Sequence, residues 1–285
     1  MIRLCAFSDE AGSSLQAQID ALLRNGIGLM EIRMVDGENI ANISLEKAEQ
    51  IRNTLKANGI RVWSLGSPLG KVSMAEGFDF AKTLAQCEHL CKLAKVLETD
   101  KIRMFSFYDA YDKKDQVVNC LRQMVELAAG YGVVLCHENE KSVYGDVVKR
   151  VQVLMEEVPG LKFVYDPANY IQCNEKSEHS LRTLHGSTLY FHIKDVIFET
   201  QELVPAGYGD GNIPALVEMI QDDKVLTLEP HLKVFDGYAS FDAETMKNKF
   251  PFASNAEAFD AAVKALKDVL VRQGYKEQNG GFEKV

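Results

Sequence analysis

No apolar run in this sequence is long enough to cross a bilayer. The N-terminus, MIRLCAFSDEAG, reaches Asp9 and Glu10 before the apolar core of a signal peptide can form. A soluble, cytoplasmic protein with no membrane partner is expected. Positive charge is also scarce: 32 Lys and Arg against 41 Asp and Glu leave a formal charge of −9. Binding to a phosphate backbone asks for a basic face, so nucleic acid is not an expected partner. A small anion held by a few local cations remains compatible. The six cysteines (Cys5, Cys87, Cys91, Cys120, Cys136 and Cys173) contain no CxxC pair, which excludes a zinc-ribbon spacing and a disulfide framework. They read as buried thiols, with Cys87 and Cys91 on one face of a packed helix.

What is present is an alternation of strand and helix without a composition shift or linker. Apolar runs at 2–8, 28–34, 60–65, 101–107, 133–140, 161–166, 188–194 and 225–229 read as strands. Between and after them, helical spacing covers 13–25, 44–58, 78–98, 112–130, 146–158, 176–184, 214–221 and 255–273, with Gly26 and Gly59 as stops. Eight such units predict an α/β fold, a (β/α)8 TIM barrel forming a single domain over residues 1–285. The polar, glycine-containing stretch 276–285 is expected to fray, and a homo-oligomer is compatible with the sequence. The hydrophobic content of 46% suffices for a sizeable core.

Four strands end on ionisable residues: VVLCHENE (133–140), FVYDP (163–167), YFHIKD (190–195) and LTLEPH (226–231). In the first, strand geometry puts Cys136, Glu138 and Glu140 on one face and His137 and Asn139 on the other. Strand ends converge at one mouth of a barrel, so Glu138, Asp166, His192 and Glu229 can meet around one ion. Three carboxylates and an imidazole suit one divalent metal ion of the Mn, Mg, Co or Zn group. Lys194 and His231 lie two residues beyond His192 and Glu229 and share their strand faces. Glu31, Arg33 and Lys71, the last beside the glycines of GSPLGK (66–71), are further candidates, with Lys71 suited to an anionic substrate group. The long stretches 195–211 and 230–254 follow the last two strands. The aromatics Phe235, Tyr238, Phe241, Phe250 and Phe252 there read either as a lid or as a subunit contact. The glycines of GYGDGN (207–212) read as a possible anion cradle or a plain loop.

The motifs HEN (137–139), DPAN (166–169), HIKD (192–195), GYGDGN and LEPH (228–231), with SDE (8–10) and EIR (31–33), resemble the sugar phosphate isomerase/epimerase family. That family belongs to the xylose isomerase-like barrels that include AP endonucleases. The resemblance implies metal ligation by Glu138, Asp166, His192 and Glu229, with Glu138 and Glu229 also exchanging protons with a sugar or sugar phosphate. Lys194 would stabilise developing negative charge, and Glu31, Lys71, Asn169 and His231 would contact substrate. The implied activity is isomerisation or epimerisation of a keto or aldo sugar, or a derivative, through an enediolate. A metal-dependent dehydratase of a keto-polyol such as a keto-inositol shares the first proton abstraction and is the alternative. A silent sugar-binding barrel would not need the four ligand types. Ketose 3-epimerases of the superfamily carry a histidine where this chain has Asn169. AP endonucleases of this fold draw extra metal-binding histidines from strands three and four, where this chain offers Trp63 to Ser67 and Met104 to Tyr108.

Overall fold

The computed structural model describes residues 1–236 and 247–285. Eight parallel strands, β1 (Ile2–Ala6), β2 (Leu29–Ile32), β3 (Arg61–Gly66), β4 (Lys101–Met104), β5 (Val134–Glu138), β6 (Lys162–Tyr165), β7 (Tyr190–Ile193) and β8 (Lys224–Leu228), pair in chain order. β8 returns to β1, with Ile2 opposite Lys224 and Ala6 opposite Leu228, and closes the barrel. The fold is the expected (β/α)8 barrel.

Nine α-helices are described: α1 (Leu15–Arg24), α2 (Leu45–Ala57), α3 (Phe80–Val96), α4 (Lys114–Gly130), α5 (Val148–Glu157), α6 (Pro167–Gln172), α7 (Ser177–Leu184), α8 (Ile213–Glu218) and α9 (Asn255–Arg272). Their ends follow local chemistry. Ser14, Ser44 and Ser254 accept backbone N–H groups in the first turns of α1, α2 and α9. Gly26 and Gly59 take the left-handed conformation that turns the chain out of α1 and α2. None of the described helices is long and apolar enough to cross a membrane.

Two cores hold the layers together, beside a small cluster of Ala168, Ile171, Val196 and Leu203. Outward residues such as Leu4, Met30, Leu65 and Ile102 pack under the helices against Leu22, Ile51, Leu90 and Leu121. Inside the barrel, Cys5, Leu29, Cys136, Val164, Tyr190 and Val225 form a plug beneath the mouth. The plug lifts the polar strand ends onto a dry floor. One irregularity affects it: the β2–β3 register shifts between Met30 and Glu31, so that Met30 faces Val62 but Glu31 faces Ser64. The extra residue is Trp63. It packs edge-on to Tyr190 (5.9 Å), while Ser64 Oγ lies 3.3 Å from Tyr190 Oη, so both residues address the same interior side chain.

The expectation that 276–285 frays is corrected. Tyr275–Gln278 and Gly281–Lys284 form an antiparallel hairpin whose Phe282 pairs with Ile2 and is buried. Its polar residues occupy the outer face, and the aromatic at 282 supplies the anchor. Further short antiparallel pairings, 34–35 with 38–39 and 195–196 with 203–204, lie outside the barrel. Of the aromatic set after β8, Tyr238 and Phe241 lie outside the described residues. Phe235 stacks near His231, Phe250 meets Tyr208, and Phe252 packs on the outer core.

Candidate metal centre

At the C-terminal mouth, Glu138, Asp166, His192 and Glu229 each present one ligand atom, and the four atoms lie within 4.8 Å of one another. All four residues are buried. Glu138 closes β5 and Asp166 follows β6 directly. His192 sits on β7, and Glu229 follows β8. Strand alternation aims all four inward.

His192 is the hub. Its Nδ1 lies 2.9 Å from Glu138 Oε1 and 3.1 Å from Glu229 Oε2, so two carboxylates face one ring nitrogen. Its Nε2 lies 3.2 Å from Glu31 Oε2, and Tyr190 Oη donates to Glu31 Oε1 at 2.8 Å. Burial pulls the imidazole towards neutrality, but the carboxylates of Glu138 and Glu31 outweigh it and raise its pKa well above the usual value. Glu31, read as a substrate contact, therefore lies below the mouth with both oxygens engaged by Tyr190 and His192.

Asp166 divides its carboxylate. Oδ1 caps α6 by accepting from Asn169 N–H (3.0 Å), while Oδ2 faces Lys194 Nζ at 3.0 Å. Burial and the nearby Glu138 and Glu229 push its pKa up, with Lys194 pulling the other way. Asn139, from HEN, clamps the same residue through its backbone: its Nδ2 donates to Asp166 O and its Oδ1 accepts from Asp166 N–H, both at 2.9 Å.

Arginines brace the two glutamates. Arg33 Nη1 donates to Glu229 Oε1 at 2.9 Å, and its Nε and Nη2 hold Asp9 at 2.8 and 3.0 Å. Arg103 Nε lies 3.3 Å from Glu138 Oε2, and its guanidinium stacks over Phe105. Burial would neutralise Glu229, but Lys194 and His192 keep its pKa well below the usual carboxylate value. Arg103 was missed in the sequence. Its signal was a permanent charge inside the otherwise apolar end of β4.

The remaining candidates gather around a narrow cavity of about 30 Å³, room for about one water. Lys71 Nζ reaches Glu140 Oε2 at 2.9 Å; His231 Nε2 lies 3.4 Å from Glu10 and 3.6 Å from Glu229. Asn169 donates to Asn139 O (2.8 Å) and Glu138 Oε1 (3.3 Å), which fixes its amide and leaves the buried Oδ1 without a hydrogen-bond partner. The glycine loop is not an open cradle. Gly207, Gly209 and Gly211 donate their N–H groups to the buried Asp195 carboxylate at 2.8, 3.1 and 2.8 Å, so the anion is the protein's own.

The four-residue cluster fits a divalent ion. Asp166 Oδ2 has only the Lys194 ammonium beside it and Glu229 Oε2 only the shared His192 Nδ1, neither in hydrogen-bond geometry, and a single imidazole nitrogen cannot satisfy two carboxylates at once. A cation bound by all four would satisfy each atom, with Glu31 fixing the far side of the ring. The donor set is the oxygen-rich, thiolate-free kind that Mg, Mn, Co and Zn accept.

Comparisons agree with this architecture. The family model described as "Xylose isomerase-like TIM barrel" matches residues 19–268. A 3-dehydroshikimate dehydratase from Bacillus anthracis is 24% identical over 217 residues, covering 71% of this chain and 76% of its own. Among solved structures, D-psicose 3-epimerase in the presence of D-fructose superposes with a TM-score of 0.72 at 17% identity, covering 95% of this chain and 99% of that one. The IOLI protein with a bound zinc atom gives 0.71 at 17% identity, with the same coverage.

Proposed function

The chain belongs to the xylose isomerase-like TIM barrel family, and from that premise we propose that it is a divalent-metal-dependent isomerase or epimerase of a keto or aldo sugar, or a sugar derivative, working through an enediolate. The observation that carries this reading is the meeting of Glu138 and Glu229 at one atom of His192, each braced by its own arginine. The bound ion would be held by Glu138, Asp166, His192 and Glu229, and would polarise a substrate carbonyl and neighbouring hydroxyl, favouring loss of the proton between them.

Glu138 and Glu229 remove and return that proton. Lys194 and His192 hold Glu229 in the charged form that a base requires. Lys194, held at the mouth by Asp166, stabilises negative charge developing on substrate oxygen. Asn169 Oδ1 is a fixed acceptor for a sugar hydroxyl, and His231 and Lys71 contact substrate from the rim. The cavity is too tight for a sugar as it stands, so the rim side chains move when substrate enters.

The test has two parts. Wild type and Asp166→Ala are equilibrated with Mn, Mg, Co or Zn, cleared of loose ion and analysed for metal. The wild type should retain one ion per chain and the variant none. The loaded protein is then incubated with ketoses and ketose phosphates in heavy water, where deuterium should enter beside the carbonyl and Glu138→Gln or Glu229→Gln should abolish its entry. Equal metal content in both proteins, or exchange that survives both glutamate changes, would overturn the reading.

The second reading is a dehydratase, favoured by the sequence match to the Bacillus anthracis dehydratase. It begins with the same proton abstraction. A product lighter by one water, with a new enone chromophore, would select it.

A further inference from the structure

Arg33, Lys71, Arg103 and Lys194 all bring positive charge to the wall of the mouth cavity. Three of them stand within 3.0 Å of a carboxylate: Arg33 beside Asp9 and Glu229, Lys71 beside Glu140, and Lys194 beside Asp166. Arg103 differs. Its Nε is enclosed and lies 3.3 Å from Glu138 Oε2 without hydrogen-bond geometry, and its Nη1 donates to Ser67 O at 3.2 Å. Its Nη2 makes no hydrogen bond among the described residues and, unlike Nε, is not enclosed. A guanidinium can only donate, so an open Nη2 asks for an acceptor.

Local packing creates that opening. The guanidinium leaves β4 with Cζ 5.3 Å from the Phe7 ring centre and 4.7 Å from that of Phe105, so aromatic carbon lies against it. Gly66 closes β3 and lines the same cavity. A Cβ there would strike Phe7 at 2.3 Å and stand 3.3 Å from Arg103 Nη2; Phe7 thus demands glycine, and the glycine leaves Nη2 uncovered. Bracing Glu138 needs only the charge that Nε presents, and does not account for Nη2. Glu138 is also the one carboxylate paired with Arg103 among the described residues, and a bound ion would share it. Neutral donors stand in the same wall. Asn39 Oδ1 accepts from Ala41 N–H at 3.0 Å, which leaves Nδ2 to donate, and the Gln172 amide makes no hydrogen bond among the described residues.

Resting on the isomerase reading above, we propose that the substrate is a sugar acid whose carboxylate accepts from Arg103 Nη2. One open nitrogen beside aromatic rings, in a cavity of about 30 Å³, suits a planar group of two oxygens better than a tetrahedral group of three. Lys194 stays with the reacting oxygens, and Asn39 and Gln172 donate to hydroxyls along the chain. Arg33 and Lys71 already face the protein's own acids, so the charge that selects the substrate is that of Arg103.

The test uses D-gluconate, D-glucitol and D-glucitol 6-phosphate, which share one carbon skeleton and have no carbonyl to react. Each is titrated by calorimetry into the full-length protein loaded with Mn. Gluconate should bind about tenfold tighter than glucitol, the worth of one charge-assisted contact, and tighter than the phosphate. Arg103→Gln should lose this preference while glucitol affinity holds. Arg103→Lys keeps a charge beside Glu138 but has no Nη2, and should lose it as well; Mn content and unfolding midpoints are measured for both. Equal affinity for gluconate and glucitol in the wild type, which needs no variant, would overturn the proposal. So would tighter binding of the phosphate, a preference that survives in either folded variant, or a variant that weakens all three ligands alike. The ratio needs no turnover: absence of deuterium exchange would strike the isomerase reading alone, whereas equal affinities would strike the carboxylate and leave exchange standing.

Discussion

Asn139 and Asp166 exchange two hydrogen bonds of 2.9 Å, one in each direction, between the amide side chain of the first and the backbone of the second. The pair imitates one rung of a β-ladder just beyond the point where β5 and β6 stop pairing, and it sets where the Asp166 carboxylate stands. Asn139→Ala should therefore weaken metal binding about tenfold to a hundredfold although the side chain touches no ligand atom. Isothermal titration with Mn, beside the unfolding midpoint, checks this; unchanged affinity would assign the clamp to stability alone.

Glu31 acts through His192. Glu31→Gln keeps the shape but removes the charge that orients the ring, and metal affinity should again drop by about one to two orders of magnitude. The metal-free protein should change little in secondary structure by circular dichroism. If affinity holds, the ring is oriented by the carboxylates of the mouth instead.

Asp195 is the centre of the loop after β7. Asp195→Ala strips the N–H groups of Gly207, Gly209, Gly211 and Val196 of their acceptor and should cost about 2–4 kcal/mol. Gly211→Ala should also destabilise, since a Cβ there would stand 2.7 Å from Asp195 Oδ1. Urea unfolding measures both; midpoints equal to the wild type would show that the loop does not depend on this carboxylate.

His137 faces away from the mouth, bonded to Ser106 Oγ at 2.9 Å, and burial pushes its pKa from the usual 6.5 down to about 3. The unfolded chain takes up a proton that the folded chain refuses over that window. Stability is therefore lost as pH falls from about 6.5 towards 3, and no further below both values. His137→Asn should flatten this acid limb in urea midpoints taken between pH 6 and pH 4, even though it lowers stability at neutral pH. An acid limb as steep as the wild type's would place its origin in other groups.

The barrel and the meeting of Glu138, Asp166, His192 and Glu229 could be read from the chain because both depend on local pattern: eight apolar runs, eight helices, and ionisable residues where the runs stop. The roles of Glu31, Asp195 and Arg103 could not, because each depends on a partner far away in sequence. Glu31 meets Tyr190 and His192 only after closure brings β2 opposite β7, and its facing residue is set by a register shift that no pattern announces. GYGDGN looked like a cradle for a foreign anion, and its spacing was indeed that of a cradle. What the sequence did not reveal was that Asp195 fills it. The C-terminal stretch looked frayed because its exposed residues are polar, although Tyr275 and Phe282 bury into the outer core and dock it.

The register shift at Trp63 joins the two ends of the barrel. Trp63 touches Tyr190; Tyr190 holds Glu31, and Glu31 holds His192. An ion at the mouth would thus rest on a line of side chains that runs to the opposite end of the barrel, so that a change at Trp63 which shifts Tyr190 reaches the His192 ring through Glu31.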